Sequence, residues 1–488
     1  MPDAPAPIRF ILDGEDMLVE DAPASTTVLQ YLREHLGRCA SKEGCAEGDC
    51  GACTVVLGEL DAAGTLQYRP VNACIRFLAS VDGREVVTVD GLAQPDGTLH
   101  PVQQAMVDAH ASQCGFCTPG FVMSLFGLWL QNPCPDRESV LEALSGNLCR
   151  CTGYRPIVDA ALRMGGYPPP AHWPRTDACD PERRTRIQRV QREHSLVRPG
   201  WQAPRTLDEL AQALEQSPEA LLLAGATDVA LWSNKHLQTL PEMIWLGEVT
   251  ELRQVHCDER SLSIGAAVSL AEAYRAITTH WPTLSELALR FASPPVRHSG
   301  TLCGNIGNGS PIGDSMPWLL ALDAHLVLRK GPRERVVPLD AFYTGYRQNS
   351  LERGEFIQAV RIPLPEPGQL LACYKFSRRF EQDISAVCAA LSVSVHEGRI
   401  RAVRIAYGGM AATPARAINA EQALVGQSFC RTSFEQAMQA LESDFSPLSD
   451  HRAGRDYRKR VAAHALLRFW LEHGEPTSAI RIEDVSAA

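Results

Sequence analysis

The stretch GCAEGDCGAC, residues 44–53, sets Cys45, Cys50 and Cys53 among three glycines, and a fourth cysteine, Cys74, follows in VNACI. A second foursome stands further along. QCGFCTPG (113–120) holds Cys114 and Cys117, and SGNLCRCTGY (145–154) holds Cys149 and Cys151. A single residue between Cys149 and Cys151 leaves no room for an unstrained disulfide joining them, whereas two thiolates can converge on one metal centre. The other eight of the sixteen cysteines (Cys39, Cys134, Cys179, Cys257, Cys303, Cys373, Cys388 and Cys430) lie singly, and are expected to be buried as small hydrophobes. With 488 residues, 45% hydrophobic and 21% charged, the chain has the composition of a globular protein of several domains. Its net charge of −10 argues against a nucleic-acid partner. The opening MPDAPAPIRFILDGED has neither the basic start nor the long apolar run of a secretory leader, and no apolar run approaches the ~20 residues of a membrane helix. A cytoplasmic protein is expected, where structural disulfides are rare and clustered cysteines ask for metal.

The first spacing, C-x4-C-x2-C with a distant fourth cysteine, is the plant-type ferredoxin pattern for a [2Fe–2S] cluster. Gly44, Gly48 and Gly51 let a compact loop turn backbone N–H groups toward the cluster sulfurs. IRFILDGEDMLVE (8–20) reads as two strands around an Asp-Gly turn. STTVLQYLREHL (25–36) reads as a capped helix with Val28, Leu29, Leu32 and Leu36 on one face, and CTVVLGEL as a returning strand. These elements suit a β-grasp. Around the second foursome the pattern is helical: PVQQAMVDAH, FVMSLFGLWL, RESVLEALSGNLC and IVDAALRM, with Gly146 placed to stop a helix. Zinc is the alternative ligand for either set.

Residues 166–198, rich in Pro and charge, read as a linker. Beyond it, PEALLLAGATDVALW (218–232) reads as a buried strand delivering a tight loop, and HSGTLCGNIGNGSPIGDSMPWLLALDAHLVL (298–328) as a loop of small residues before a helix and a strand. Such loops suit close approach to a pyrophosphate, although Asp314 could equally cap the helix that follows it. By themselves Phe291 and Ile357 read as core residues and Lys375 as a solvated charge. After about residue 370, strands (SAVCAALSVSVHEG, IRAVRIAYGGM) alternate with helices (SFEQAMQALES, YRKRVAAHALLRFWLEHG).

The two cysteine sets together, GCAEGDCGAC…C and CGFCTPG…GNLCRCTGY, resemble the paired [2Fe–2S] domains of the molybdenum hydroxylases, the xanthine dehydrogenase/oxidase family. The resemblance implies cluster ligands at all eight cysteines: Cys45, Cys50, Cys53 and Cys74, then Cys114, Cys117, Cys149 and Cys151, with the second set toward molybdopterin. It extends to that family's flavoprotein segment. There it implies FAD contacts at Leu222, Leu223, Ala224, Gly225, Ala226, Thr227, Asp228 and Val229, and at Thr301, Leu302, Cys303, Gly304 and Asn305. Phe291, Asp314, Ile357 and Lys375 match further FAD contacts. The family's second loop usually reads TLGGN, and Cys303 replaces its first glycine, a position where φ > 0 could be needed. No NAD contact is carried onto SRRFEQD (377–383), whose register differs from that of animal members.

The expected fold class is therefore α+β and multidomain. Residues 1–88 form a ferredoxin-like β-grasp, 89–165 an all-α [2Fe–2S]-binding bundle, 199–368 an α+β two-loop FAD-binding domain, and 369–488 a C-terminal α+β flavoprotein domain. The resemblance implies an oxidoreductase chain with no catalytic residue of its own for the hydroxylation. It passes electrons from a purine oxidised on a large molybdopterin-binding subunit, through both clusters and FAD, to NAD+. Two small and two large subunits, no nucleic acid and no membrane are expected. An aldehyde, nicotinate or other N-heterocycle hydroxylase is the sister reading. A zinc-stapled scaffold is the reading from another class.

Overall fold

In the computed structural model the described residues are 6–61, 63–170, 172–173 and 181–474. They form two compact units: Met1–Leu252 with Ser269–Ala271 and Ala292–Thr301, and Arg253–Val268 with Glu272–Phe291 and Leu302–Ala488. The fold is multidomain α+β, as the sequence implies.

The first unit begins with the expected hairpin. Strands Ile8–Leu12 and Glu15–Val19 pair antiparallel, Leu12 opposite Glu15, and Asp13 and Gly14 take φ of 51° and 85°. Two consecutive left-handed residues make the tight turn whose twist matches a hairpin. Glu85–Val87 pairs parallel to the first strand, and Thr54–Leu60 and Leu66–Asn72 complete a five-stranded sheet. Segment 25–36 folds back over this sheet. Thr27 and Gln30 close a reciprocal capping box, but only Val28–Gln30 is regular α-helix. The Leu36 amide then reaches the Tyr31 carbonyl, five residues back, at 3.1 Å, so Tyr31–His35 is a wider turn than the expected helix. Leu29 and Leu32 still reach the core beside Phe10 and Phe77.

Four helices follow: Pro101–Asp108, Thr118–Gln131, Arg137–Leu144 and Arg155–Arg163. Phe121, Phe126, Trp129, Val140, Ile157 and Ala160 fill their common core. The stretch read as a linker contains the helix Pro181–Val190. Ile187 and Val190 bury themselves against Ile11, Leu60 and Leu66, while Arg183, Arg189 and Arg192 pair with Glu85, Asp16 and Asp82. The many charges there hid a short apolar face. A small sheet of Leu196–Arg198, Trp201–Ala203, Met243–Trp245 and Leu221–Leu223 continues the same core.

The second unit holds an antiparallel five-stranded sheet, ordered Val255–Cys257, Ser261–Gly265, Phe356–Pro363, His325–Lys330 and Arg333–Pro338. A meander of Gln369–Phe376, Val387–His396, Arg399–Gly408 and Ala415–Arg416 carries the helices Ile418–Leu424, Arg431–Ala440 and Arg455–Gly474 on one face. Leu391, Ile405, Tyr407, Phe434 and Phe469 are completely buried between sheet and helices.

The isolated cysteines do not all behave as core residues. Cys303 and Cys388 are buried and Cys373 is half-buried, but Cys39, Cys134, Cys257 and Cys430 are exposed. Cys179 lies outside the described residues.

His100 links this architecture to pH. Its Nδ1 accepts from the Val102 amide at 3.2 Å and caps the helix Pro101–Asp108. Nε2 is buried without a hydrogen-bond partner, and the ring sits edge-on to Phe126 and Trp129 at 5.1 and 4.6 Å. Burial, then the neighbouring His172, lowers its pKa from 6.5 to about 3. A histidine depressed in the folded state favours the unfolded chain once that chain begins to take up the proton. Stability from this group is therefore complete above about pH 6.5 and falls as the pH drops toward 3, by about 3 kcal/mol at pH 4. Urea unfolding of the His100→Asn variant, which keeps a cap acceptor, is expected to lack this decline between pH 6.5 and 4.

Candidate functional site

In the first unit the two cysteine sets sit on neighbouring loops. Gly48 takes φ of 84°, and around it the amides of Glu47, Asp49 and Cys50 donate to Cys45 Sγ at 3.5, 3.3 and 3.3 Å. Three N–H groups aimed at one sulfur are what a thiolate ligand of a metal cluster needs, so the loop fits the group. Cys53 and Cys74 are buried beneath it, and Asn72 Nδ2 lies 4.0 Å from Cys53 Sγ. The sulfurs hydrogen-bond one another: donors from Cys50 and then Cys74 hold the Cys45 thiol well below its ordinary value. The same contacts push Cys50 and Cys74 up.

The second set runs from the loop before helix Thr118–Gln131 to the loop before helix Arg155–Arg163. Burial, then the Cys149 sulfur, pushes the Cys117 thiol up to about 12, and Cys114 pushes Cys151 up. At Cys149 burial is outweighed by Thr152, whose Oγ1 and amide lie 3.2 and 3.5 Å from the sulfur. All four sulfurs of the set interact, Cys117 with Cys149 and then Cys114, and Cys151 with Cys114 and then Cys149. Cys114 and Cys151 are exposed, Cys117 and Cys149 half-buried.

The loops touch through their backbones. The Leu148 amide donates to the Cys50 carbonyl at 3.0 Å, and Asn147 Nδ2 donates to the Gly51 carbonyl at 3.1 Å. A Cβ on Gly51 would stand 2.1 Å from the Gly146 carbonyl oxygen, so only glycine fits. Gly146 itself has no left-handed φ; the helix ends at Leu144, and Gly146 serves by close approach.

The expected flavin contacts divide between the units. The first unit carries Leu222–Val229 and Thr301. Strand Leu221–Leu223 ends in a loop with Ala226 at φ 60°, and helix Val229–Asn234 follows. A Cβ on Gly225 would meet the Ser299 carbonyl oxygen at 2.2 Å and Gly300 Cα at 2.5 Å, so the two loops lie backbone on backbone. Thr301 is buried. Asp228 occupies the N-terminal position of the helix without capping it, and accepts from Trp232 Nε1 at 3.2 Å.

The second unit carries Phe291, Leu302, Cys303, Gly304, Asn305, Asp314, Ile357 and Lys375. Leu302–Asn308 is helical, and Cys303 has no left-handed φ, so replacing the glycine costs no backbone strain. Its thiol lies 3.8 Å from the Ile264 carbonyl. Gly304 is exposed, and Asn305 Oδ1 is buried without a hydrogen-bond partner, an acceptor that a bound cofactor could satisfy. Phe291 and Ile357 are buried at 9% and 8% exposure.

Asp314 and Lys375 depart from their simplest readings. Asp314 precedes helix Ser315–Ala321 but makes no cap bond. Its Oδ2 accepts from Lys375 Nζ at 2.7 Å, and its Oδ1 from Ser385 Oγ at 2.5 Å. Lys375 also donates to the Arg290 carbonyl at 3.2 Å, and the Lys375 and Asp314 side chains are only 3% and 7% exposed. A buried, fully hydrogen-bonded ion pair is a costly arrangement seldom kept for stability alone. Ser385, Arg290 and Asn234 bond within these sites and carried no motif in the sequence, and Asn147 stood inside SGNLCRCTGY without being singled out.

Four families match in chain order: the 2Fe-2S iron-sulfur cluster binding domain over residues 10–78, the [2Fe-2S] binding domain over 88–162, the FAD binding domain in molybdopterin dehydrogenase over 192–365, and the CO dehydrogenase flavoprotein C-terminal domain over 372–473. The xanthine dehydrogenase of Emericella nidulans is 32% identical over 523 residues, covering 95% of this chain and 38% of that protein. The xanthine dehydrogenase/oxidase of Gallus gallus is 29% identical over 537 residues, covering 95% and 40%. The chain thus spans about two fifths of the length of these relatives. Among solved structures, the carbon monoxide dehydrogenase of Hydrogenophaga pseudoflava that lacks the Mo-pyranopterin moiety is 30% identical with a TM-score of 0.52, covering 55% of this chain and 94% of that one. Quinoline 2-oxidoreductase of Pseudomonas putida 86 is 27% identical with a TM-score of 0.51, covering 57% and 96%. With two [2Fe–2S] domains, an FAD-binding domain and a flavoprotein C-terminal domain in this order, the chain belongs to the molybdenum hydroxylase family.

Proposed function

We propose that the chain is the electron-transfer subunit of a xanthine dehydrogenase. It takes electrons released when hypoxanthine or xanthine is hydroxylated on a large molybdopterin-binding partner, and delivers them through two [2Fe–2S] clusters and FAD to NAD+. Clusters supply single-electron steps and a flavin converts these to hydride chemistry. The observation that carries the reading is the Leu148 to Cys50 hydrogen bond of 3.0 Å, which sets the two cysteine loops in direct backbone contact. Cys45, Cys50, Cys53 and Cys74 would hold the cluster nearer the flavin loop, and Cys114, Cys117, Cys149 and Cys151 the cluster facing the partner. Gly225 and the Ser299–Thr301 backbone would cradle FAD, with Leu222, Leu223, Ala224, Ala226, Thr227, Asp228 and Val229 alongside. By family resemblance, Phe291, Leu302, Cys303, Gly304, Asn305, Asp314, Ile357 and Lys375 are further FAD contacts. The chain's own residues hold sulfurs, aim amides and keep a buried ion pair in place.

The xanthine dehydrogenases that align over nearly the whole chain support a purine substrate, and NAD+ as acceptor rests on the family resemblance. The likeness to quinoline 2-oxidoreductase favours, as second reading, the hydroxylation of another N-heterocycle. The assembly proposed by family resemblance is two small and two large subunits.

Anaerobic titration of the complex with xanthine is expected to bleach the flavin and iron–sulfur absorption together, and NAD+ to restore both. Bleaching by NADH but not by xanthine would remove the purine assignment and leave the electron chain. A Cys151→Ser variant is expected to lose one of two [2Fe–2S] signals in electron paramagnetic resonance and about half of its iron, leaving the other signal intact.

The buried pair yields a separate expectation. Lys375→Met leaves Asp314 charged and unpaired, and is expected to cost about 3–5 kcal/mol in unfolding of the flavin-free protein. Adding Asp314→Asn should recover most of that stability. Flavin content, measured on the same proteins, should stay low in both variants if the pair contacts FAD.

A further inference from the structure

The helix that leaves the Leu222–Val229 loop ends at Asn234, and its last side chain reaches back to the first cysteine loop. Asn234 Nδ2 donates to the Cys74 carbonyl at 2.7 Å and to the Ala46 carbonyl at 3.3 Å. Lys235 Nζ donates to the Cys45 carbonyl at 3.1 Å and lies 3.6 Å from the Glu47 carboxylate. Cys45 and Cys74 are 29 positions apart in sequence, and one amide and one ammonium tie both sides of their loop to the segment that forms the flavin loop.

We propose that Asn234 and Lys235 are positioning residues that clamp the Cys45/Cys50/Cys53/Cys74 cluster site to the flavin loop and raise the reduction potential of its cluster. The proposal rests on the reading of those four cysteines as [2Fe–2S] ligands. A cluster held by four thiolates gains one further negative charge on reduction. Hydrogen-bond donors and cations at the ligand backbone stabilise that state, because hydrogen bonding and local charge set the potentials of such centres. Asn234 supplies two N–H dipoles directed at the carbonyls of the ligand loop. Lys235 supplies a full charge, screened because its side chain is 42% exposed and partly offset by Glu47.

The bland account of Lys235 is a surface pair with Glu47, an arrangement worth little by itself. The two accounts differ in sign. If Lys235 only pairs with Glu47, removing either partner leaves the cluster potential alone. If Lys235 acts on the cluster, Lys235→Met lowers the potential and Glu47→Gln raises it.

The test is a redox titration of the complete complex followed by electron paramagnetic resonance, the two cluster signals being assigned with the cysteine variant described above. Lys235→Met lies at an exposed position, folds without difficulty and carries the test. It is expected to lower the reduced-to-oxidised ratio of the first cluster, at fixed applied potential, by about threefold, which is about 28 mV for a one-electron couple. Asn234→Ala should shift it in the same direction, Lys235→Arg should restore the parental value, and the second cluster's midpoint should not move. Two intact signals with unchanged midpoints in Lys235→Met and Asn234→Ala would overturn the clamp and leave the cluster assignment standing. A parent complex without [2Fe–2S] signals would overturn the cluster assignment and the clamp with it.

Discussion

The first unit depends on a backbone contact that tolerates no side chain. Gly51 follows Cys50 and lies against the Gly146 carbonyl, and Gly120, in the helix after the CxxC pair, lies 2.1 Å, measured from an added Cβ, from the Gly51 carbonyl. Asn147 completes the contact: its Nδ2 donates to the Gly51 carbonyl while its Oδ1 accepts from Ser124 Oγ at 2.6 Å. Segments from a sheet domain and a helical domain are brought together where their cysteines are. A methyl group at either glycine would push the loops apart by more than a hydrogen bond can stretch. The surrounding core has to be rigid for so close an approach to be held, and Phe121, Met123 and Phe126 of the same helix are wholly buried.

In the second unit the corresponding constraint is charge rather than space. Asp314 is enclosed with both oxygens committed, one to Lys375 and one to Ser385. Ser385 is followed by Ala386, whose carbonyl accepts from the buried Arg458, and Arg458 also bonds the Gly409 carbonyl at 3.0 Å and Asp450 at 2.8 Å. The helix Arg455–Gly474 is therefore joined to the strand that presents Ser385 by a guanidinium rather than by apolar packing alone. At Asp450 burial is outweighed by the amides of Ala453 and Arg452 and then by Arg458, which hold its carboxyl down at about 2. Lys375 offsets Asp314 and Asp450 offsets Arg458, so each buried charge has an opposite charge beside it.

What the sequence disclosed follows from the range of the interactions involved. The hairpin at Asp13–Gly14, the four helices around the second cysteine set and the meander after residue 370 are written in short periodicities and turn residues, and they form as expected. The β-grasp helix is only partly regular because its end is set by tertiary contacts of Tyr31, not by propensity. The helix Pro181–Val190 was hidden because its apolar face is two residues wide among arginines. Asp314 and Lys375 looked like a cap and a solvated charge because their partnership spans 61 positions, and Ser385 joins from 71 positions away. Asn147 and Asn234 lie 96 and 160 positions from the carbonyls they hold. A lone asparagine before a cysteine or at a helix end has no pattern by which a local reading could select it.

The handles used on the cysteine loops have one property in common. Leu148 holds the carbonyl of Cys50, Asn234 that of Cys74, and Lys235 that of Cys45. In every case a ligand residue is gripped by its backbone oxygen while its sulfur stays free of the gripping group. The contacts that place the loops are thus separate from those made to sulfur, such as the three amides on Cys45 Sγ and Thr152 Oγ1 beside Cys149 Sγ. The separation gives the loops two classes of sensitivity. Under the proposed assignment, changing a cysteine removes a ligand, and with it the centre. Changing a residue that holds a cysteine carbonyl leaves the ligand set complete and alters only where the loop sits and what field it feels. Under the proposed assignment, the spacing between centres and their potentials would be adjusted through these carbonyl contacts without disturbing metal occupancy.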